Sequence, residues 1–186
     1  ASRKEDVLEK TCKELSEISN NINYRVLDLK CNNSVSNFVE NIENIPDIIV
    51  NNSAGNFICP TEDLTYNGWN SILDIVLRGT MDLTFQFGKK MIENDNPGVF
   101  LNISTTYAQT GSGFVVPSAI AKAGCDNLTK SLGAEWGKYG IRINSVAPGP
   151  IYTEGAFSRL DPTGEFKKKV EHILPLGRLG QPEELA

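Results

Sequence analysis

The chain alternates short apolar, β-branched runs with longer stretches whose apolar residues recur at helical spacing. The strand-like runs are YRVLDLK (24–30), DIIVNNSAG (47–55), GVFLNIST (98–105) and IRINSVAPGP (141–150), and helical patterns cover residues 5–18, 34–45, 67–94 and 118–140. Buried strands separated by helices are typical of a parallel sheet packed between helical layers. The sequence therefore predicts a doubly wound, Rossmann-like α/β fold with three layers.

The composition limits the kind of partner that the chain can bind. Its 186 residues are 40% hydrophobic and 22% charged, which is enough to bury the core of one globular domain over residues 1–186. The net charge of -5 disfavours a nucleic-acid or anionic-membrane surface, and no apolar run is long enough to span a bilayer. We therefore expect a small-molecule site, with neither nucleic acid nor membrane as partner.

Cysteine and histidine usage gives no sign of a metal site. The four cysteines, Cys12, Cys31, Cys59 and Cys125, are scattered without CxxC spacing, so we expect reduced thiols rather than a zinc site or a disulfide framework. The only histidine, His172, belongs to no partner motif and is assigned no role. No metal is predicted.

Four loops at strand ends define the expected site. In doubly wound sheets, ligands bind beyond the carboxyl ends of the strands. Here those ends are LDL, NNSAGNF, ISTTY and APGPI. Tyr107 follows the third of these strands, Asn56 lies on the neighbouring loop, and Lys122 lies 15 residues after Tyr107 on a predicted helix. A phenol, an amide and an ammonium group are therefore expected to share one crevice.

The segments SAGNF, TTYAQTGSGFVVPSAIAKAG, AEWGKYGIR and PGPIYTEGAFSRLDPTG, in this order, resemble the short-chain dehydrogenase/reductase family. Within that family, they are most similar to the 2,4-dienoyl-CoA reductases of the mitochondrial type. The resemblance implies NADPH-dependent reduction of 2,4-dienoyl-CoA to 3-enoyl-CoA in the β-oxidation of unsaturated fatty acids. It also implies a homo-oligomer, as a tetramer, in the mitochondrial matrix, with the cytoplasm or the peroxisome as alternatives.

Ser118 stands four residues before Lys122, where most of the family has a catalytic tyrosine. A serine hydroxyl is too weak an acid to replace a phenol. Hydride transfer to a dienoyl thioester, however, places charge on the thioester oxygen, which needs hydrogen-bond donors. The resemblance implies Tyr107 and Asn56 as those donors, Lys122 on the nicotinamide ribose, and Ser118 orienting Lys122 or a water. Helix capping is a competing interpretation of Ser118.

Cofactor preference is predicted from the first residues. A guanidinium binds a phosphate through two hydrogen bonds, so Arg3, followed by Lys4, favours the 2′-phosphate of NADPH; two solvated charges are the alternative. Asp28 matches an adenine-contacting aspartate, with an ordinary strand-end aspartate as the alternative. The resemblance further implies Asn52 and Gly55 beside the adenosine ribose, and Pro148, Gly149, Pro150 and Ile151 against the nicotinamide.

The acyl-CoA substrate has three further candidate contacts, all implied by the resemblance. Phe57 and Thr65 are expected to line the entrance together with Asn56 and Tyr107, and Arg159 is expected to meet the CoA phosphates. The run Lys167–Lys169 is interpreted as a solvated helix face instead.

Two departures from the family pattern leave alternatives open. The sequence lacks the glycine-rich turn that binds the pyrophosphate and ends at QPEELA, so we expect a reductase domain without its first and last strands, truncated at both ends. Many members carry an asparagine three residues before Gly79, where this sequence has Val76. Dienoyl-CoA reductases are similar to this sequence in lacking that asparagine, which favours them over a general alcohol dehydrogenase. The alternatives are another short-chain carbonyl or 3-ketoacyl reductase, and a non-catalytic relative.

Overall fold

The computed structural model describes residues 1–153 and 164–186, which form helices around a short parallel sheet. The helices are α1 (Glu5–Ser16), α2 (Asn32–Glu40), α3 (Tyr66–Leu73), α4 (Gly79–Glu93), α5 (Tyr107–Thr110), α6 (Val116–Trp136) and α7 (Glu165–Ile173). The strands are β1 (Ile48–Asn51), β2 (Val99–Ile103) and β3 (Arg142–Val146). Helices follow strands in alternation, and the predicted Rossmann-like α/β class is confirmed.

The three strands are parallel and lie in the order β1-β2-β3. In the register, Ile48 is opposite Val99, and Phe100 is opposite Ile143. Because all three strands run in one direction, their carboxyl ends meet at one edge of the sheet. The loops that begin at that edge carry Asn52, Ser104 and Ala147 as their first residues.

The strand predicted over residues 24–30 is wrong in extent. Val26 forms a single parallel bridge with Ser2, supported by a 2.9 Å hydrogen bond from the Leu27 N–H to the Ser2 carbonyl. The bridge is isolated, and within the described residues no ladder continues on either side of it. The apolar pattern of YRVLDLK nevertheless has a function, because Leu27 is buried in the main core.

Helices α2, α4 and α6 cover one face of the sheet. Phe100 on β2 is fully buried beneath them, and the rings of Phe38 and Phe87 pack edge to face at 6.2 Å. Helices α4 and α6 approach closely at Gly88, where a Cβ would lie 2.2 Å from the Trp136 ring. Glycine is therefore required at position 88, because any side chain there would displace Trp136.

The opposite face of the sheet carries apolar side chains that the described residues leave exposed. Ile48 and Val50 alternate with buried residues along β1 and are 66% and 55% exposed. No helix in the described ranges is both long enough and apolar enough to cross a membrane.

Two long helices depart from their predicted course. The pattern over 67–94 is helical throughout, but a π turn at Asp74–Arg78 separates α3 from α4. The pattern over 118–140 begins two residues early, at Val116, and ends in a 3-10 turn that closes at Gly140 with φ of 72°. A left-handed residue stops a helix, and glycine adopts that conformation without a Cβ penalty.

Candidate functional site

The sheet edge brings the Tyr107 and Ser118 hydroxyls together. Tyr107 begins α5 directly after the β2 loop, and its phenol oxygen lies 3.0 Å from Ser118 Oγ. Ser118 is 2% exposed and is the third residue of α6, whose N-cap is Val115. The capping interpretation of Ser118 is therefore wrong: its hydroxyl bonds a tyrosine rather than a backbone N–H.

Lys122 lies one helical turn after Ser118 and is 7% exposed. Its Nζ donates to the Ser53 carbonyl at 3.2 Å and to the Ile103 carbonyl. Ile103 ends β2 and Ser53 lies in the loop just after β1, so the lysine joins α6 to the sheet edge at both strands. Burial lowers the pKa of Lys122, and the nearby Cys125 and Asp126 oppose that shift. An ammonium has three donors, so one remains for a ligand.

A buried polar network fixes the elements that carry these groups. Asn51 Nδ2 donates to Asn102 Oδ1 at 2.8 Å and to Thr84 Oγ1 at 3.1 Å, and Asn102 Nδ2 donates to Thr129 Oγ1 at 2.8 Å. Both threonine hydroxyls donate to the carbonyl four residues earlier in their helices. Each hydroxyl can therefore only accept from an asparagine, which ties β1 and β2 to α4 and α6 in one defined orientation.

Asn56 and Phe57 follow Ser53, whose carbonyl binds Lys122, in the loop after β1. Asn56 Oδ1 accepts the Phe57 N–H at 2.9 Å, so the amide nitrogen is the part of this side chain that can donate to a ligand. Phe57 is half-buried and packs against the small core of Ile72, Val76 and Ala121. Its ring is therefore held by the protein before any ligand arrives.

Thr65 and Gly55, two further predicted site residues, make local contacts with α3. Thr65 is exposed and caps α3, with Oγ1 accepting the Gly68 N–H at 3.0 Å. This local contact accounts for a threonine there but leaves its hydroxyl proton available. Gly55 lies close to α3, since a Cβ would be 3.2 Å from Ile72 Cδ1. The prediction for Arg159 lies outside the described residues.

We call Tyr107, Ser118 and Lys122 the inner end of the site, and Arg3, Asp28 and Asn52 the outer end. All three outer residues line one cavity of about 590 Å³ between the Ser2 bridge and β1. Asp28 Oδ1 accepts the Lys30 N–H at 3.0 Å. Arg3 is exposed and makes no ion pair within the part of the chain that the structure describes. The rest of the lining is largely apolar and includes Leu27, Leu83 and Phe87 of the main core, and Asp28 contributes a carboxylate as well as the Arg3 cation.

The loop predicted to face the nicotinamide is held from behind by the C-terminal segment. Ile151 forms a parallel bridge with Gly180, through 3.0 Å and 2.8 Å backbone hydrogen bonds. Arg178 makes two 2.8 Å hydrogen bonds to the Glu184 carboxylate, which lower the pKa of Glu184 to about 2. At Gly149 there is open space around the position of a Cβ. Pro148 and Pro150 contribute carbonyl acceptors to Thr106 and Gly180.

Val76, which replaces the family's asparagine, lies in the π turn and is fully buried. Its carbonyl accepts a hydrogen bond from Cys125 Sγ at 3.2 Å, and burial raises the pKa of that thiol. The side chain at this position therefore packs in the core and supplies no polar group to the site.

Sequence reasoning missed the buried network and the Arg178–Glu184 ion pair. One local signal for the network existed: Asn51, Asn102, Thr84 and Thr129 are polar residues at positions where the strand and helix patterns call for apolar ones. A buried polar residue needs a hydrogen-bond partner, so four such residues in apolar patterns indicate that their side chains bond one another. No comparable pattern marks Arg178 and Glu184.

Comparisons with known proteins agree with this geometry. The family described as Enoyl-(Acyl carrier protein) reductase matches residues 1–186. An uncharacterised oxidoreductase of Caenorhabditis elegans is 45% identical, and a probable 2,4-dienoyl-CoA reductase of that organism, described as (3E)-enoyl-CoA-producing, is 42% identical. Both alignments cover 100% of this chain but only 62% of the relative, so the chain spans less than two thirds of their length.

Solved structures share the fold. The crystal structure of a short chain dehydrogenase from Bacillus anthracis has a TM-score of 0.87 and 40% identity, covering 99% of this chain and 73% of that one. A variant of actinorhodin polyketide ketoreductase, solved with NADPH, has a TM-score of 0.91 and 27% identity, covering 99% and 75%. Together with the parallel sheet and the arrangement of Tyr107, Ser118 and Lys122, these matches show that the chain belongs to the short-chain dehydrogenase/reductase family.

Proposed function

We propose that the protein containing this chain reduces 2,4-dienoyl-CoA to 3-enoyl-CoA with NADPH, as a step in the β-oxidation of unsaturated fatty acids. The observation that carries the proposal is the 3.0 Å contact between the Tyr107 phenol and Ser118 Oγ. The Tyr107 phenol lies beside residue 118, the position at which most of the family has its catalytic tyrosine. Tyr107 belongs to α5, whereas residue 118 belongs to α6. The similarity to a probable dienoyl-CoA reductase supports the same substrate class.

The reaction needs donors at the thioester oxygen. When bound, NADPH would supply the hydride that carbon 5 of the dienoyl group accepts. The electron pair moves through the conjugated chain to the thioester oxygen, and a proton from solvent or a bound water ends on carbon 2 when the C3=C4 double bond remains. Tyr107 Oη and Asn56 Nδ2 would donate to that oxygen while it carries the negative charge. Ser118 would orient the phenol through the hydroxyl contact.

Lys122 would stabilise the same charge and bind the cofactor. Its ammonium is held by two carbonyls in a buried position, where a charge acts more strongly than in water. The third donor would reach the nicotinamide ribose. The loop over residues 148–151 would lie against the nicotinamide, supported from behind by the Gly180 bridge.

The cofactor proposal rests on the outer end. A nicotinamide cofactor agrees with membership of this family, and the preference for NADPH is our proposal from Arg3. Arg3, Asp28 and Asn52 line the same cavity, and the exposed Arg3 guanidinium supports a site for the 2′-phosphate of an adenosine there. Asn52 and Gly55 would run beside its ribose.

The acyl-CoA would enter past Phe57 and Thr65, and Arg159 would meet its phosphates. Assembly as a homo-oligomer, a tetramer by resemblance, belongs to the same proposal. So does the mitochondrial matrix as compartment, with the cytoplasm and the peroxisome as alternatives.

A second candidate is reduction of a ketone, as in a 3-ketoacyl reductase. The likeness to a polyketide ketoreductase favours it. A ketone substrate would need a proton on an alcohol oxygen, and Ser118 cannot supply it as readily as a tyrosine at that position.

The test is an assay of the full-length protein with NADPH and either 2,4-hexadienoyl-CoA or acetoacetyl-CoA, with the products identified by mass spectrometry. We expect turnover of the dienoyl thioester to 3-hexenoyl-CoA and little or no reduction of the ketone. Preferential reduction of acetoacetyl-CoA would replace this proposal with the second candidate. Inactivity towards both, in a folded protein that binds NADPH, would favour a non-catalytic relative.

A further inference from the structure

Phe114 has a backbone conformation that its side chain does not explain. It lies in the loop between α5 and α6 with φ of 63°, in the left-handed region that bulky residues rarely adopt. Its ring is 60% exposed, so the core does not hold it in place. Glycine would adopt this backbone with less strain. Strained conformations persist where function requires a particular side chain, which raises the question of what the ring contacts.

The position of Phe114 answers part of that question. Its carbonyl accepts the Cys59 N–H at 2.9 Å, which joins the α5–α6 loop to the loop that carries Asn56. Ile58, the residue before Cys59, is 56% exposed. Phe114 also lies four residues before Ser118. We call Phe114 and Ile58 the apolar lip, because they are exposed apolar residues on the two loops that the Cys59–Phe114 hydrogen bond joins, one loop following Tyr107 and the other carrying Asn56.

We propose that the apolar lip binds the acyl chain of the substrate beyond its reacting carbons, and so sets the preference for chain length. This inference rests on the proposed function, which places the thioester oxygen at Tyr107 and Asn56. Hydrocarbon is the part of a fatty acyl thioester that gains from contact with a phenylalanine ring and an isoleucine. The pantetheine arm is rich in amides, and neither lip side chain offers them a hydrogen bond.

The size of the effect follows from buried methylene groups. Full burial of one methylene changes affinity about fourfold, and half-exposed contacts give roughly twofold. A ten-carbon chain has four more methylenes than a six-carbon chain, so the lip should contribute about 10-fold to the longer substrate. A six-carbon chain ends soon after the reacting carbons and should gain little from the lip.

The experiment compares kcat/KM of the full-length enzyme for 2,4-hexadienoyl-CoA and 2,4-decadienoyl-CoA. Phe114→Ala should lose about fivefold with the ten-carbon thioester, because Ile58 keeps part of the contact, and less than about twofold with the six-carbon one. Phe114→Leu should recover most of the loss. Phe114→Gly distinguishes the effect of the ring from that of the backbone. It relieves the backbone strain, so the melting temperature should be unchanged or higher. The kcat/KM for the ten-carbon thioester should nevertheless fall as much as in Phe114→Ala.

A matched control is Phe85→Ala. Phe85 is also a partly exposed phenylalanine, but it packs edge to face against Trp136 on α4 and α6. Its loss should affect both thioesters equally. Equal losses with both thioesters in Phe114→Ala would overturn the proposal.

Failure of the proposed function gives a different result. If the wild-type enzyme reduces neither thioester, the proposed function is wrong. Titration calorimetry with decanoyl-CoA and hexanoyl-CoA then tests, without catalysis, whether the apolar lip binds an acyl chain. A Kd for decanoyl-CoA that is unchanged in Phe114→Ala would then overturn the lip as an acyl-chain site. A selective loss for decanoyl-CoA would support it.

Discussion

The inner and outer ends of the site are built differently. At the inner end, Ser118 and Lys122 are almost fully buried, and their polar atoms are held by the Tyr107 hydroxyl and two strand-end carbonyls. At the outer end, Arg3 is exposed at the edge of an open cavity and makes no ion pair within the described ranges. The polar groups of the inner end are thus fixed by the protein's own contacts, whereas the exposed Arg3 side chain at the outer end has no such partner among the described residues.

The difference matches two physical tasks. Donors that stabilise a charge during a reaction must already point at it, because reorientation would cost free energy at the barrier. A cation that attracts a phosphate needs only to be near it, and its long side chain adjusts on binding. We therefore expect substitutions at the inner end to change turnover or folding, and substitutions at the outer end to change cofactor affinity with dependence on salt.

The largest expected effect is at Tyr107. Tyr107→Phe removes one donor from the thioester oxygen and should lower kcat by about 100- to 1,000-fold. Ser118→Ala removes a group that acts through the phenol and should lower kcat distinctly less. Steady-state assays at saturating NADPH check both values.

Stability separates the chemistry from the packing in these variants. Each substitution breaks the same 3.0 Å hydroxyl contact, so both should lose a similar, small free energy of unfolding of about 1 kcal/mol. A greater loss of kcat in Ser118→Ala than in Tyr107→Phe would contradict the assignment of Tyr107 as the donor.

The next effect is on folding, at the network that supports the inner end. Asn102→Leu removes the acceptor of Asn51 and the donor to Thr129, and leaves buried groups without partners. We expect a loss of about 2–3 kcal/mol in the free energy of unfolding, measured by urea titration. Asn144 is an exposed residue of β3, and Asn144→Leu should change the free energy of unfolding by less than about 0.5 kcal/mol. Similar losses in both would show that the network does not stabilise the fold.

The fold was predictable to a useful extent because periodicity reports burial. The pattern over 98–105 contains β2, and the pattern over 118–140 covers all of α6 except its first two residues; the buried residues of both elements recur at the expected spacing. The pattern over 24–30 was equally apolar, but it forms only one bridge, since a strand also needs a neighbour along its length. Periodicity also gave no warning of the π turn, because its residues continue the same apolar face.

The site was less predictable than the fold, for a physical reason. Tyr107, Ser118 and Lys122 are near in sequence, so helix spacing and the strand end bring them together. Asn51 and Asn102 are 51 residues apart, and only the β1–β2 register makes them neighbours. The contact between the Phe114 loop and the Asn56 loop likewise depends on tertiary structure, which no local pattern encodes.

At the outer end, the expected effect is on cofactor choice. Arg3→Ala should raise the KM for NADPH about 10-fold at low salt and leave the KM for NADH nearly unchanged, because only NADPH carries the 2′-phosphate. The change should shrink as salt rises, since an exposed pair is screened. Arg3→Lys keeps the charge but loses the two-point contact with the phosphate, so its KM for NADPH should lie between those of the wild type and Arg3→Ala. Equal changes in the KM for NADPH and for NADH would show that Arg3 does not bind the 2′-phosphate.

The smallest effect concerns the Arg178–Glu184 ion pair, in the segment whose Gly180 forms a bridge with Ile151. The Arg178 guanidinium and the Gln181 N–H hold the pKa of Glu184 at about 2, below its usual range. A lowered carboxyl pKa stabilises the fold above the unfolded-state value of about 4.3, and this contribution is lost as pH falls towards 2. Glu184→Gln should therefore lower the melting temperature slightly at pH 7 and not at about pH 2. Both partners are half-exposed, so added salt should reduce the difference. Glu183→Gln, which removes an equal charge outside the ion pair, is the control, and an identical pH profile for the two variants would show that the Arg178–Glu184 pair does not stabilise this segment.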